Sequence, residues 1–337
     1  MMADRKSTSH RPFIAIVPQP WRIRERQCQT SSNGNLGSNR SAMVRLKSRK
    51  VAIAHRTSPR DTENPGTSMA KQGSITSNLG LYVYGGAAIF LGLLGLVSGD
   101  FATTWQNVGP NIPLRVPLAY LTAVIELAGG IALLWRRTAH AGALTLTIVY
   151  SVFTLIWVPK AFVNLGNYDP IGNVFEEFCL VAAGLVLCAI FSPAGSSIAR
   201  RRPFFVLLFG ICPISFGIVH IIDMPGLLGW IPGWLPPTKM FWAYATTLGF
   251  FGAAVAILTG IMAPLAARLL TAEIVIFELL VWIPNLSAGP SNHFNWAGNA
   301  ICIALAGASW VVSDSISAVA KTKPSPAESL AEVSIPA

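Results

Sequence analysis

The sequence predicts an all-α, polytopic membrane protein: about eight transmembrane helices in two parallel four-helix repeats, behind a disordered N-terminal tail. Three observations predict it: long apolar runs, a shortage of charged residues, and loops that alternate between basic and neutral. The chain of 337 residues is 52% hydrophobic and 12% charged, whereas soluble domains carry about 25% charged residues. This composition excludes a soluble enzyme, because its surface would lack groups that water solvates.

The basic charge is confined to the tail, residues 1–78. These residues hold fourteen Lys and Arg against four Asp and Glu, whereas residues 79–337 hold eleven of each. Abundant Ser, Arg and Asn without apolar periodicity favours disorder beside the membrane. A transit peptide, or a start codon assigned too early with Met69 as the alternative start, are the other interpretations. The expected partner is the lipid bilayer, and no nucleic acid is expected.

Apolar runs long enough to cross a bilayer occupy most of the remaining chain. About 20 apolar residues span the hydrocarbon layer, where only helices or closed barrels satisfy the polar groups of the backbone. The runs do not alternate as barrel strands do, so we predict helices. The eight predicted spans are 80–98, 117–135, 140–158, 174–192, 204–222, 240–259, 262–283 and 295–313.

Charges in the loops predict the orientation of the helices. Loops containing Arg136 and Arg137, Arg200–Arg202, and Arg268 alternate with loops whose charges balance or are absent. Cytoplasmic loops carry the excess of Lys and Arg, so we expect a cytoplasmic (inner) membrane protein with both termini in the cytoplasm. The opposite, outer ends carry six tryptophans that predict an aromatic belt. They are Trp105, Trp157, Trp230, Trp234, Trp282 and Trp296.

The two halves of the membrane body repeat each other. Leu155–Pro159 matches Leu280–Pro284 at an offset of 125 residues, and Ala119-Tyr120 matches Ala243-Tyr244 at 124. An even number of helices per unit gives both copies the same orientation, which predicts a parallel repeat. The predicted domains are the tail at 1–78, a first unit at 79–193, a second unit at 203–313 and a cytoplasmic C-terminal tail at 314–337.

Two stretches resemble the DoxX-like family of four-helix membrane proteins, present as two tandem units. One runs from Gly95-Leu96-Val97-Ser98 through Trp105 to Gly129-Gly130; the other runs from Gly217-Ile218-Val219-His220 to Trp282-Ile283-Pro284. Some members are linked to quinone-dependent sulfur oxidation. The resemblance therefore implies the four-helix fold and an accessory role in a quinone-linked redox system, with quinone as cofactor and redox subunits as partners.

Acidic residues inside the predicted spans are the first candidates for a site. A charge at the bilayer centre costs roughly 2.5–3.5 kcal/mol on insertion scales. The candidates are Glu126, Glu273 and Glu278, whose repeat counterparts are Phe250, Ile148 and Phe153. We expect the three carboxyls to line one cavity between the halves, where close carboxyls share a proton and serve proton transfer or a quinone. The alternative is that each is protonated and bonded to a neighbouring hydroxyl for packing only.

A second candidate group lies at the outer ends of the helices. It comprises Asp100, Glu176, Glu177, His220 and Asp223. His220 lies one turn before Asp223, so the two can face each other, but the pair has no third ligand at a fixed spacing and predicts no metal site. Glu176 and Glu177 are expected to begin the fourth helix, where negative charge complements the helix dipole.

Three classes of function remain. The sequence contains no phosphate loop, nucleophile elbow or zinc signature, so no catalytic residue is assigned. The first class is an accessory redox subunit, as the resemblance implies. The second is a carrier for a small lipophilic or protonated solute. The third is a packing or interaction protein without chemistry of its own.

Overall fold

The computed structural model describes residues 79–163 and 168–322, and within those ranges it consists of helices and loops without a strand. Seven helices are long and apolar enough to cross a membrane. The predicted all-α, polytopic class is thereby confirmed. The predicted tail, residues 1–78, and residues 323–337 lie outside the described residues.

The first half contains four long helices. They are α1 Leu79–Ser98, α2 Arg115–Leu134, α3 Ala139–Val163 and α4 Asp169–Phe191. The second half begins with two long helices, each preceded by a short one. These are α5 Ser197–Arg200, α6 Arg202–Ile222, α7 Met224–Trp230 and α8 Lys239–Thr259. The rest is α9 Ala263–Phe277, a π-helical turn Glu278–Trp282, α10 Ile283–Ala288 and α11 His293–Thr322.

The span predicted at 262–283 is three consecutive helical segments rather than one helix. In the π-helical turn, the N–H of Ile283 donates to the carbonyl of Glu278, five residues earlier. Pro284 has no N–H to donate to the carbonyl of Leu280, so this α-helical hydrogen bond is missing beside the turn. Because α9 has 15 residues and a crossing needs about 20, α9 alone is too short, and the five residues of the π-helical turn extend it to the required length.

The last helix is longer than predicted. It continues from His293 to Thr322, so the part of the predicted C-terminal tail at 314–322 is helical. Its side chains are buried as far as Ser315, because this end of α11 packs against α1.

Helix packing follows the same order in both halves. In the first half α1 packs on α2, α2 on α3 and α3 on α4; in the second, α6 packs on α8, α8 on α9 and α9 on α11. The contacts of α4 with α6 and of α11 with α1 close a ring, and α4 meets α11 across its centre. This repeated order of neighbours is what a duplicated four-helix unit produces.

Small residues let α1 and α11 approach closely. A Cβ on Gly80 of α1 would lie 2.5 Å from the backbone nitrogen of Val311 on α11. A Cβ on Gly307 would lie 2.5 Å from the backbone nitrogen of Tyr84. Lipid gives apolar helices little hydrophobic reason to associate, so close van der Waals packing of small residues holds them together.

The bundle has two chemically different ends. The arginine end carries the connections at 135–138, 192–201 and 260–262, and the tryptophan end carries those at 99–114, 223–238 and 289–292. The loop at 99–114 is named the first loop below, because it enters the candidate site.

Two glycines of α1 test the contact between α1 and α2. A Cβ on Gly92 would lie 2.6 Å from the carbonyl oxygen of Ala123, whereas a Cβ on Gly86 meets nothing within 4 Å. We expect Gly92→Ala to lower the free energy of unfolding by about 1–3 kcal/mol through overpacking. Gly86→Ala should be neutral or stabilising by up to about 1 kcal/mol. Thermal unfolding in mild detergent measures both, and equal melting temperatures would contradict the close contact.

Candidate functional site

Four buried polar side chains gather inside the first unit. They are Gln106, Glu126, Tyr150 and Glu177, named the inner cluster. Glu126, Tyr150 and Glu177 are each 1% exposed. The two carboxyls interact electrostatically with each other and with Tyr150. Helices α2, α3 and α4 each contribute one member, so the packing of the first unit creates the cluster.

Gln106 reaches the cluster from the first loop rather than from a helix. Its Nε2 donates to Oε1 of Glu126 at 2.6 Å, and its Oε1 accepts from the backbone N–H of Ala102 at 3.0 Å. Both ends of the amide are thereby held, and the orientation of its oxygen and nitrogen is determined by the two bonds. Glu126 consequently has a fixed hydrogen-bond donor.

Glu177 and Tyr150 lack such support. Among the described residues, neither carboxyl oxygen of Glu177 nor the hydroxyl of Tyr150 has a hydrogen-bond partner. A buried polar group without a partner costs about 1–3 kcal/mol. Packing alone does not require such groups, so the unpartnered oxygens of Glu177 and Tyr150 are the feature of the site that most indicates a ligand.

Indole groups hold the first loop over the inner cluster. Trp105 Nε1 donates to Oε2 of Glu176 at 2.7 Å, and Trp157 Nε1 donates to the carbonyl of Trp105 at 3.0 Å. Trp105 also stacks on Phe294 with ring centroids 5.5 Å apart. The loop is therefore tied to α3, α4 and α11 at once.

Charged residues hold the two flanks of the first loop. Lys160 Nζ donates to the carbonyl of Asn107 at 2.8 Å. Arg115 pairs with Asp100 at 2.5 Å, where both side chains are partly exposed. The predicted outer-face residue Asp100 thus anchors the loop, and such an exposed ion pair contributes about 0–1 kcal/mol.

The aromatic-belt interpretation is wrong for three of the six tryptophans. Trp105, Trp157 and Trp282 are all buried, so they do not face lipid head groups. The rings of Trp105 and Trp282 lie 5.7 Å apart, and Trp230 lies 5.3 Å from Trp282. Trp105 and Trp282 are therefore in contact inside the protein, where the two halves meet at the tryptophan end.

The predicted pairing of His220 with Asp223 is also wrong. His220 Nδ1 lies 3.4 Å from the hydroxyls of both Thr246 and Thr247 on α8. Asp223 caps α7, since its Oδ1 accepts from the N–H of Gly226 at 3.1 Å. Each side chain therefore has a partner other than the one predicted.

Glu176 and Glu177 do not begin the fourth helix. α4 begins at Asp169, and seven residues of helix carry Glu176 about 10 Å further along the axis. Stabilisation by the helix dipole falls off within the first turn, so that predicted role is wrong. Both carboxyls belong to the interior, and Glu177 joins the inner cluster.

The three acids predicted to share a cavity have different surroundings. Glu126 contacts groups of the first unit. Glu273 faces α8 in the second unit, where a Cβ on Gly249 would lie 2.5 Å from its Oε2. Glu278 lies beside the thiol of Cys302 on α11. These described contacts share no residue, so they do not form the single predicted cavity.

Within the described residues, no group of three His, Cys, Asp or Glu side chains is arranged to hold a metal ion. Sequence reasoning missed Gln106 and Tyr150 as members of the site. A weak signal existed for Tyr150, a polar hydroxyl in the middle of an apolar run. Gln106 lies in a loop, and nothing in its local sequence indicates that the loop enters the bundle.

Comparison of the chain with models of protein families, with curated proteins and with solved structures finds no match. The resemblance to the DoxX-like family remains a prediction from the residues that carry it.

Substitutions of the adjacent acids Glu176 and Glu177 on α4 test whether the buried carboxyl of Glu177, which has no described partner, lowers the stability of the protein. We expect Glu177→Met to raise the free energy of unfolding by about 1–3 kcal/mol, because it removes a buried carboxyl that has no partner. Glu176→Met should lower stability, since it leaves the indole N–H of Trp105 without its acceptor. Thermal unfolding of both variants in the same detergent gives the comparison. A destabilised Glu177→Met would show that this carboxyl is needed for packing.

Proposed function

We propose that the inner cluster binds the head group of a quinone-class molecule, and that the chain is a membrane subunit of a quinone-linked redox system. The observation that carries the proposal is the buried pair Glu177 and Tyr150, whose oxygens no described residue uses. The resemblance to the DoxX-like family supports the same class of ligand. Three members of the cluster lie on helices that are long and apolar enough to span a membrane, which suits a lipophilic ligand.

The residue types of the cluster fit both forms of such a head group. The hydroxyl of Tyr150 and a protonated Glu177 donate to a carbonyl oxygen, whereas an ionised Glu177 accepts from a hydroxyl. Glu126, with its amide donor from Gln106, is the second carboxyl able to hold a proton. When bound, a quinone supplies two-electron, two-proton chemistry, for which a partner redox protein exchanges the electrons.

The proposal includes the topology. We place the arginine end in the cytoplasm and the tryptophan end outside, in an inner membrane, because Arg136, Arg137 and Arg200–Arg202 all belong to the arginine end. The inner cluster is then covered on the outer side by the first loop. Electron transfer from an outer-face partner would approach through Trp105 and its neighbours.

One observation favours a carrier as a second candidate function. The second unit also has buried carboxyl oxygens without partners among the described residues, on Glu273 and Glu278. Acids in both halves suit a protonated solute that moves through the bundle. Uptake of a labelled weak acid into proteoliposomes, dissipated by a protonophore, would favour this function over the first.

A binding measurement tests the quinone proposal. Purification in mild detergent should yield protein with a lipophilic quinone that organic solvent extracts. A short-chain quinone should quench the tryptophan fluorescence of extracted protein, because Trp105 adjoins the cluster. We expect Tyr150→Phe and Glu177→Gln each to weaken binding about tenfold, the equivalent of one hydrogen bond of about 1.4 kcal/mol.

Glu273→Gln is the matched control, since it removes a buried acid outside the inner cluster and should bind the quinone as the unmodified protein does. Equal affinity in all three variants would exclude the inner cluster as the site. Failure of the unmodified protein to bind any quinone would exclude the proposed function.

A further inference from the structure

We propose that a groove at the arginine end of the bundle binds one anionic phospholipid, whose phosphate meets the guanidinium of Arg136. The groove has a volume of about 310 Å³. Its apolar wall is formed by Leu81, Leu133, Leu134, Ala139 and Phe191, and Tyr82 and Arg136 complete the lining. The inference goes beyond the proposed function, because no residue of the groove belongs to the inner cluster.

The groove lies where four membrane-spanning helices have their ends. Leu134 is the last residue of α2, Ala139 is the first of α3 and Phe191 is the last of α4. Leu81 and Tyr82 belong to the first turn of α1. The ends of membrane-spanning helices lie near the boundary between hydrocarbon and head groups, where tyrosine is enriched. At this level the acyl chains of a phospholipid join its charged head group.

Hydrogen bonds hold the two sides of the groove in place. The hydroxyl of Thr138 donates to the carbonyl of Ala132 at 2.8 Å, which fixes the turn that carries Arg136. This bond also satisfies a carbonyl at the end of α2, a role that basic side chains can take. On the other side, His140 Nε2 lies 3.4 Å from the hydroxyl of Ser192, which joins the beginning of α3 to the end of α4.

The guanidinium of Arg136 is available to a ligand. It is exposed, and it forms no ion pair or hydrogen bond within the part of the chain that the structure describes. Other arginines at this end are engaged inside the protein. Arg200 donates to the hydroxyl of Ser197 at 3.4 Å, and Arg268 donates to that of Ser317 at 3.2 Å. Arg136 is therefore a cation beside an apolar groove, without a described counter-charge.

The ligand that complements this groove has both apolar chains and a negative charge. A guanidinium binds phosphate through two parallel hydrogen bonds, and basic pockets between membrane-spanning helices bind anionic lipid head groups. Free phosphate would leave the apolar wall uncovered. Residues 1–78 of the chain do not complement the groove either, because their net charge is strongly positive. An anionic phospholipid satisfies both parts of the groove.

The corresponding connection in the second half lacks the cation. Between α8 and α9 the chain consists of Gly260, Ile261 and Met262, whereas the connection between α2 and α3 contains Arg136 and Arg137. We therefore expect the site in the first half alone, with one tightly bound lipid in each chain.

Native mass spectrometry of the full chain in detergent tests the site, because it counts the lipids bound to each protein. Phosphatidylglycerol should give one adduct with higher affinity than phosphatidylcholine of the same acyl chains. Arg136→Gln should weaken phosphatidylglycerol binding about fivefold, the effect of one basic residue near a lipid surface, and abolish the preference between the lipids. Arg137→Gln is the matched control, since it removes the same charge outside the lining of the groove and should keep the preference.

A pair of tyrosine variants tests the groove independently, in case Arg136→Gln does not fold. Tyr82 and Tyr244 are exposed to the same extent, 55% and 56%, but only Tyr82 lines the groove. Tyr82→Ala should weaken phosphatidylglycerol binding, and Tyr244→Ala should not.

Three outcomes would overturn the site. Equal losses in the two arginine variants, or in the two tyrosine variants, would show that lipid attraction is not local to the groove. Equal affinity of the unmodified protein for the two lipids would exclude recognition of the negative charge. Loss of the lipid adduct in millimolar inorganic phosphate would assign Arg136 to free phosphate instead. Quinone binding is measured separately, so each of these results leaves the proposed function standing.

Discussion

Lipid offers no hydrogen bonds, and this constraint governs the whole molecule. Every polar group of the membrane body must find its partner inside the protein. The backbone does so by forming helices, and most buried side chains do so locally: Thr147, Thr154 and Thr271 each donate to the carbonyl four residues earlier. Against that background, the few buried groups left without a partner are informative, because nothing in the surrounding solvent compensates them.

The same constraint explains how function is placed in this fold. The polar groups of a loop that enters the bundle must form hydrogen bonds within the protein. The first loop forms such bonds through Trp105, Gln106 and Asn107. Each of these bonds joins the loop to a different helix of the first unit. The loop therefore covers the tryptophan end of the first unit and supplies a hydrogen-bond donor to Glu126. The segment that the helices hold in place thus also completes the inner cluster.

Much of the fold was predictable because the signals for it are local. Apolar length located the seven long helices, and Glu and Pro inside apolar runs are visible without a structure. The π-helical turn beside Pro284 shows what local sequence does not predict. Pro159 occupies the equivalent position in the first half, yet α3 continues through it to Val163. Proline alone therefore does not determine whether a π-helical turn forms. The surroundings of Glu177 depend on which helices meet, and no local pattern encodes that.

The two predicted units differ at the positions that carry the buried acids. Where the first unit has Glu126, the second has Phe250, whose ring packs at 5.5 Å on Phe216 and 5.2 Å on His220. An aromatic ring thus fills the interior position that a carboxyl holds in the first unit. The acids of the second unit lie elsewhere, on α9 and in the π-helical turn, and Glu278 lies next to α11 rather than at the centre of its own bundle. The inner cluster therefore belongs to the first half alone, and the buried acids of the second half lie at different positions in the bundle.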